Sequence, residues 1–143
     1  MSTAAHDTPS PRRTRGRGQA LTGALELSGR LLLGVLFLVS GAGKIAAYDA
    51  TEGYMQAMGV PFTLLPAVII LEVVGALLLF VGWKTKFVAI LLAGFSIISA
   101  LLFHANIADQ IQLVMLLKNL SIAGGLLVLA ANGAGPYSVD ARQ

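Results

Sequence analysis

Residues 62–82 read FTLLPAVIILEVVGALLLFVG, an apolar run with a single charge, Glu72, at its centre. At ~1.5 Å per residue the run spans ~30 Å as a helix, the thickness of the hydrocarbon core of a bilayer. A carboxylate at that depth costs ~2.5–3.5 kcal/mol on insertion-derived scales, and more when nothing pairs with it. Glu72 is therefore expected to face protein or water and to have a partner. Three further apolar runs supply the candidates Arg30, Lys118 and His104.

Those runs set the class of the whole chain. Of 143 residues, 56% are hydrophobic and 12% charged, about half the charge of an ordinary soluble domain. Mean hydropathy is +0.78. The pattern predicts an all-α integral membrane four-helix bundle, with spans near 21–47, 62–82, 87–104 and 111–131 inside a domain covering 19–133. The formal charge of +3 is no signal for nucleic acid, because Arg12, Arg13, Arg15 and Arg17 lie together before the first run. There are no cysteines, which excludes a disulfide framework and any dithiol chemistry of the chain's own.

Residues 1–18 combine Pro9, Pro11, several Ser/Thr and the four arginines, and read as a disordered basic tail. The adjacent Arg12 and Arg13 raise twin-arginine export, but the usual apolar pair after them is missing. A cleaved signal peptide is disfavoured by Arg30 and by the three spans that follow. Basic residues lie in this tail and in the second loop, Trp83-Lys84-Thr85-Lys86, whereas Asp49, Glu52 and Asp109 mark the other two loops. The positive-inside rule then places both termini in the cytoplasm, with an up-down topology and 134–143 as a short C-terminal tail.

Helical spacing assigns the packing faces. Glu26, Arg30, Gly34, Phe37, Gly41 and Lys44 fall on one stripe of the first helix, and Val68, Glu72, Gly75, Ala76 and Leu79 on one of the second. Ala89, Ala93, Ser96, Ala100 and His104 align on the third, and Lys118, Ser121, Ile122 and Gly125 on the fourth. In each case an ionisable residue shares its stripe with small ones, which let membrane helices approach closely. Glu72 and Lys118 lie at similar depths, ~15 and ~20 Å from the ends expected to be cytoplasmic, and Arg30 at ~5–14 Å. The expectation is a central network of Glu72 with Arg30 or Lys118, and a separate outer mouth of His104, Lys44 and Asp109. Such a network either fixes helix register or forms a binding or proton-handling site. Glu26 and Arg30 also have the spacing of an intrahelical pair, and Lys44 can simply snorkel. No metal site is expected, since His104, Asp109 and Glu72 make a poor ligand set.

At these residues the sequence resembles the DoxX family of small four-helix membrane proteins, over nearly all of Gly29–Asp140. The matching pieces are Gly29-Arg30-Leu31, Ser40-Gly41-Ala42-Gly43-Lys44-Ile45 and Gly53-Tyr54-Met55-Gln56-Ala57-Met58-Gly59-Val60-Pro61. They continue with Glu72-Val73-Val74-Gly75, Gly82-Trp83-Lys84-Thr85-Lys86, Phe103-His104 and Lys118-Asn119-Leu120-Ser121-Ile122-Ala123-Gly124-Gly125. Ala76 and Lys86 stand where the family often has Gly and Arg. The resemblance implies a bacterial inner-membrane protein and singles out Arg30, Lys44, Glu72, His104, Lys118 and Asn119. The family is named for a subunit associated with a thiosulfate:quinone oxidoreductase, and relatives are linked to quinone and oxidative stress. It thus implies an accessory or quinone-interacting subunit beside an oxidoreductase partner, with quinone as the possible ligand and no agreed catalytic set. A small transporter or proton-coupled carrier, which at this size needs a homo-oligomer, and a receptor or assembly factor remain the alternatives.

Overall fold

A computed structural model describes the backbone of residues 11–143 and the side chains from residue 18 onward. The chain is helical: α1 covers Pro11–Ala46, α2 Tyr48–Ala57, α3 Leu65–Val81, α4 Thr85–Phe103 and α5 Gln110–Asn132. All but α2 contain a stretch long and apolar enough to cross a membrane, giving 4 candidate spans at Gly18–Ala46, Phe62–Val81, Thr85–Phe103 and Gln110–Asn132. The expected span positions hold within a few residues. The outer surface is that of a lipid-facing bundle, with Leu32 73% exposed and Ile70, Ile90, Leu101 and Val128 also exposed.

Local signals account for the ends. Pro66 lies in the first turn of α3, where its missing N–H costs nothing. Gly82 ends α3 in the left-handed conformation, φ 68°. The Asp109 carboxylate caps α5, accepting from the amides of Ile111 and Gln112 at 2.8 and 3.1 Å. α1 is ~54 Å long, well beyond the ~30 Å a bilayer requires. It begins at Pro11, so residues 11–18, expected to be disordered, continue the first helix, while residues 1–10 of that tail lie outside the described residues. Arginine is a good helix former and proline suits a first turn, so the stretch carries no barrier to helix beyond its glycines.

Packing around the ring runs α1–α3–α4–α5, and α1–α3 and α4–α5 are the tightest pairs. Glycine permits the first: a Cβ on Gly34 would stand 2.5 Å from the Phe80 ring, and one on Gly41 2.8 Å from Val73 Cγ2. Phe37, Ala76, Leu79, Leu92, Ala93 and Leu126 form the core between the helices. The expected stripes on α1, α3 and α4 are the buried ones, but the stripe on α5 is not. Ala123, Leu126 and Leu129 are its buried residues, while Lys118, Ser121 and Gly125 are exposed. That stripe runs along the α1–α5 seam, the thinnest of the four, where a Cβ added to Gly125 would stand 3.8 Å from Leu33 Cδ2, in ordinary van der Waals contact.

Two segments without apolar periodicity are folded. The first loop contains α2, whose Met55 is buried. The expected C-terminal tail folds across one end of the bundle, with Ala134 and Ser138 buried. Its backbone bonds to the end of α3, Val139 N–H to Val81 O at 3.1 Å and Asp140 N–H to Gly82 O at 2.9 Å.

Candidate functional site

Gly41 sets the level at which α1 meets Glu72, because its Cα side lies against the Glu72 Cβ. Lys44 is one turn further along and curls back toward it. The Lys44 ammonium donates to both Glu72 oxygens at 2.9 Å and to Ser40 Oγ at 2.8 Å, and Ser40 donates to Glu72 Oε1 at 3.0 Å. The side chains are 25% exposed for Lys44 and 3% for Glu72. A carboxylate this deep in an apolar span is tolerable because three charge-assisted bonds converge on it.

The central network expected from sequence is thus corrected: the partner of Glu72 is neither Arg30 nor Lys118. Arg30 lies eleven residues before Gly41, ~16 Å along the helix and out of reach. It is buried at 1% exposure and points to the other end of the bundle. There it donates to the carbonyl of Ala134 and, at 2.6 Å, to that of Tyr137. Its Nε has no partner, and the nearby acidic charges are Asp140 and Glu26. The expected Glu26–Arg30 pair is replaced by these carbonyls, and Glu26 rests against Gly135 instead. Gly82 makes room for the guanidinium, since a Cβ there would lie 2.5 Å from both Arg30 Nη1 and Ser138 Cβ.

Asp140 completes this clamp. Its carboxylate accepts from the amides of Lys84 and Thr85 at 2.7 and 2.8 Å, supplying the N-terminal cap that α4 otherwise lacks. Lys84 is held there at φ 52°, the left-handed region. Partial burial pushes the Asp140 carboxyl up, but the hydrogen bonds from Thr85 and Lys84 and the charge of Lys84 outweigh it and hold it below its usual value.

At the opposite end the Lys44–Glu72 pair forms one wall of a cavity of about 290 Å³. Phe37, Tyr54, Phe95 and Phe103 supply aromatic faces, and Ser96, Ser99, Thr51, His104, Lys118 and Asn119 supply polar atoms. α2 roofs it, with the Tyr54 ring stacked on Phe103 at 5.4 Å and 25°. His104 Nδ1 and Gln112 Oε1 are 2.7 Å apart. Asp109, expected beside His104, caps α5 instead. The Lys118 ammonium contacts Met115 Sδ at 3.1 Å, and Asn119 donates to the Met115 carbonyl at 3.0 Å. Five of the six residues singled out from sequence therefore line one cavity, and Arg30 belongs to the clamp.

Sequence reasoning passed over Ser40, Tyr54, Ser99 and Phe103 as site residues. Ser40 stands four residues before Lys44, a spacing that foretells a shared partner. Tyr54 depends on α2, which no periodicity marks.

Comparisons with known proteins place the chain beside inner membrane proteins. The DoxX family profile matches residues 25–105. The Escherichia coli (strain K12) inner membrane protein YqjF is 46% identical over 114 residues, covering 80% of this chain and 88% of that protein. Inner membrane protein YphA of the same organism is 32% identical over 125 residues, covering 82% and 89%. No solved structure matches the chain. With the family profile spanning more than half of its length and relatives aligned across most of it, the chain belongs to the DoxX family of inner membrane proteins.

Proposed function

We propose that this protein binds a small quinone-class ring within the membrane and serves as the ligand-holding accessory subunit of a membrane redox system. The observation that carries this is the Lys44–Glu72–Ser40 cluster set into an aromatic-lined cavity. An apolar pocket with a few fixed polar groups is the usual form of a small-molecule site. A quinone matches it in kind. The flat ring packs against Phe37, Phe95 and the Tyr54–Phe103 stack, and a ring carbonyl takes the place of Ser40 Oγ as acceptor of the third Lys44 N–H, the ammonium keeping its two bonds to Glu72. The chain has no cysteine for dithiol chemistry, so the proposed role is binding, with electrons handled by a partner protein.

The clamp end faces the cytoplasm in this proposal, because Lys84, Lys86 and the basic start of α1 collect there. The cavity then opens in the outer half of the membrane. A carrier is the alternative, and the clamp is what favours it: Arg30, Gly82 and Asp140 close the end opposite the cavity, as an inner gate does. Solute or proton flux in liposomes that rises in Asp140→Asn identifies the carrier.

The deciding experiment for the quinone site is lipid extraction of the purified protein, with thermal melts against a short-chain quinone. Wild type is expected to carry quinone and to be stabilised by the analogue, and Lys44→Gln to lose both. A wild-type protein with neither refutes the site.

A further inference from the structure

We propose that the cavity is loaded sideways from the bilayer, through the seam between α1 and α5, by a lipid-borne molecule whose ring carries an acceptor oxygen, and that Lys118 meets that oxygen in the seam. The route rests on the cavity holding a quinone-class ring. Three sides of the cavity are closed by the packed pairs α1–α3, α3–α4 and α4–α5, and α2 covers the top through Met55 and the Tyr54–Phe103 stack. The fourth side is the α1–α5 seam. There the cavity wall consists of Leu36, 39% exposed, facing Lys118 and Ile122. The small residues Ser121 and Gly125 continue the α5 side of the slot, and both are exposed.

Lys118 itself is the second observation. It stands eight residues into α5, ~12 Å below the end of that helix and near mid-membrane, where a lysine open to lipid is disfavoured. It is exposed, and among the described residues its ammonium contacts a thioether sulfur, a weak acceptor. The carboxylate on the cavity wall, Glu72, is already engaged with Lys44 and Ser40. A ring oxygen arriving in the seam gives Lys118 a strong acceptor at the depth where a quinone ring diffuses. An isoprenoid tail can remain in lipid, passing between Leu36 and Ile122, while the ring moves inward to the aromatic wall. The same placement accounts for small residues along a seam that is the most sparsely packed of the four.

The chain has no native cysteine, which makes the route testable. Leu33→Cys/Gly125→Cys, bridged by a short reducible bifunctional thiol reagent, ties the seam shut where a Cβ on Gly125 would come within 3.8 Å of the Leu33 side chain. Uptake of a long-tailed quinone is followed by adding it to proteoliposomes, re-isolating the protein in detergent at set times and measuring the quinone it retains. Bridging is expected to slow uptake at least about tenfold, with recovery after cleavage of the bridge and removal of the reductant; each single-cysteine variant treated with the same reagent should behave as wild type. Leu36→Trp fills the slot from its exposed side and, read by the same extraction, carries the same expectation should the double variant not fold. Lys118→Met is expected to weaken binding about tenfold, the loss of one charge-assisted hydrogen bond, while Lys118→Arg retains it. Unchanged uptake in both the bridged protein and Leu36→Trp overturns the lateral route while leaving the site standing. Unchanged affinity in Lys118→Met overturns the role of that residue. No uptake by wild type removes the site and the route together.

Discussion

Lys44→Met tests the centre of the cavity more severely than any change at Glu72. The variant keeps the length of the side chain but removes two of the three bonds to a carboxylate that is 3% exposed, leaving Ser40 as its donor. Breaking a buried pair by deleting one partner costs ~3–5 kcal/mol. Glu72→Gln strands the other charge, yet Lys44 is 25% exposed and its flexible stem can swing into the cavity, so the cost falls to ~1–2 kcal/mol. Lys44→Met/Glu72→Leu removes both charges and should return to within ~1 kcal/mol of wild type. Thermal denaturation in detergent, followed by Trp83 fluorescence, is the assay. Lys44→Met is expected to lower the midpoint on the order of 10 °C, Glu72→Gln by a few degrees, and the double variant little. A larger loss in Glu72→Gln than in Lys44→Met, or no coupling between the two, refutes the pairing. The double variant has a further use: a folded protein that no longer retains quinone separates a binding role for these charges from a structural one.

Cysteines placed at Lys84 and at Arg142 should react only with reagents that reach the cytoplasm, and one at Tyr48 only from outside; the reverse pattern inverts the proposed orientation. Asp140→Asn should cost ~1 kcal/mol through loss of the α4 cap, read as faster hydrogen exchange at the Lys84 and Thr85 amides. Because the Asp140 carboxyl is held below its usual value, its contribution is fully present above about pH 4 and lost as the pH falls through its lowered value. Clamp amides of wild type should therefore lose protection in that acid range, and those of the Asn variant should not change there. Gly82→Ala forces φ 68° on a residue with a Cβ that meets Arg30 and Ser138, and should destabilise by ~1–3 kcal/mol. An Ala variant that melts like wild type contradicts the clamp geometry.

The spans and three of the four packing faces were legible in sequence because each rests on a local rule, apolar length or a 3.6-residue period. The identity of the ion pair was not. Depth along separate helices placed Glu72 beside Lys118, but the relative sliding of α1 and α3 is set by the contacts of Gly34 and Gly41, which only the packed structure fixes. That register brings Lys44 to Glu72 and carries Arg30 away from it. The α5 stripe misled for a related reason. Small residues around Lys118 read as a tightly packed face, whereas they border the most sparsely packed seam of the bundle. The clamp was illegible because Gly-Ala-Gly-Pro-Tyr-Ser-Val-Asp, residues 133–140 apart from its own first glycine's role in ending α5, contributes carbonyls and one carboxylate rather than a periodic apolar face.

The hydrogen bonds of Arg30 also bear on the order in which the protein is made. Its carbonyl partners lie 104 and 107 residues downstream, and chains are synthesised from the N-terminus at a finite rate. The first span therefore enters the membrane with a guanidinium whose final acceptors have not yet been translated. Until they emerge, Arg30 must be hydrated from the nearby interface, which keeps this end of α1 shallow while the later spans insert. Arrival of residues 134–140 releases it from water and caps α4 in the same step. Completion of the bundle is thus coupled to synthesis of residues 134–140, and a released chain truncated before residue 134 should insert four spans whose first helix is still tethered to the surface.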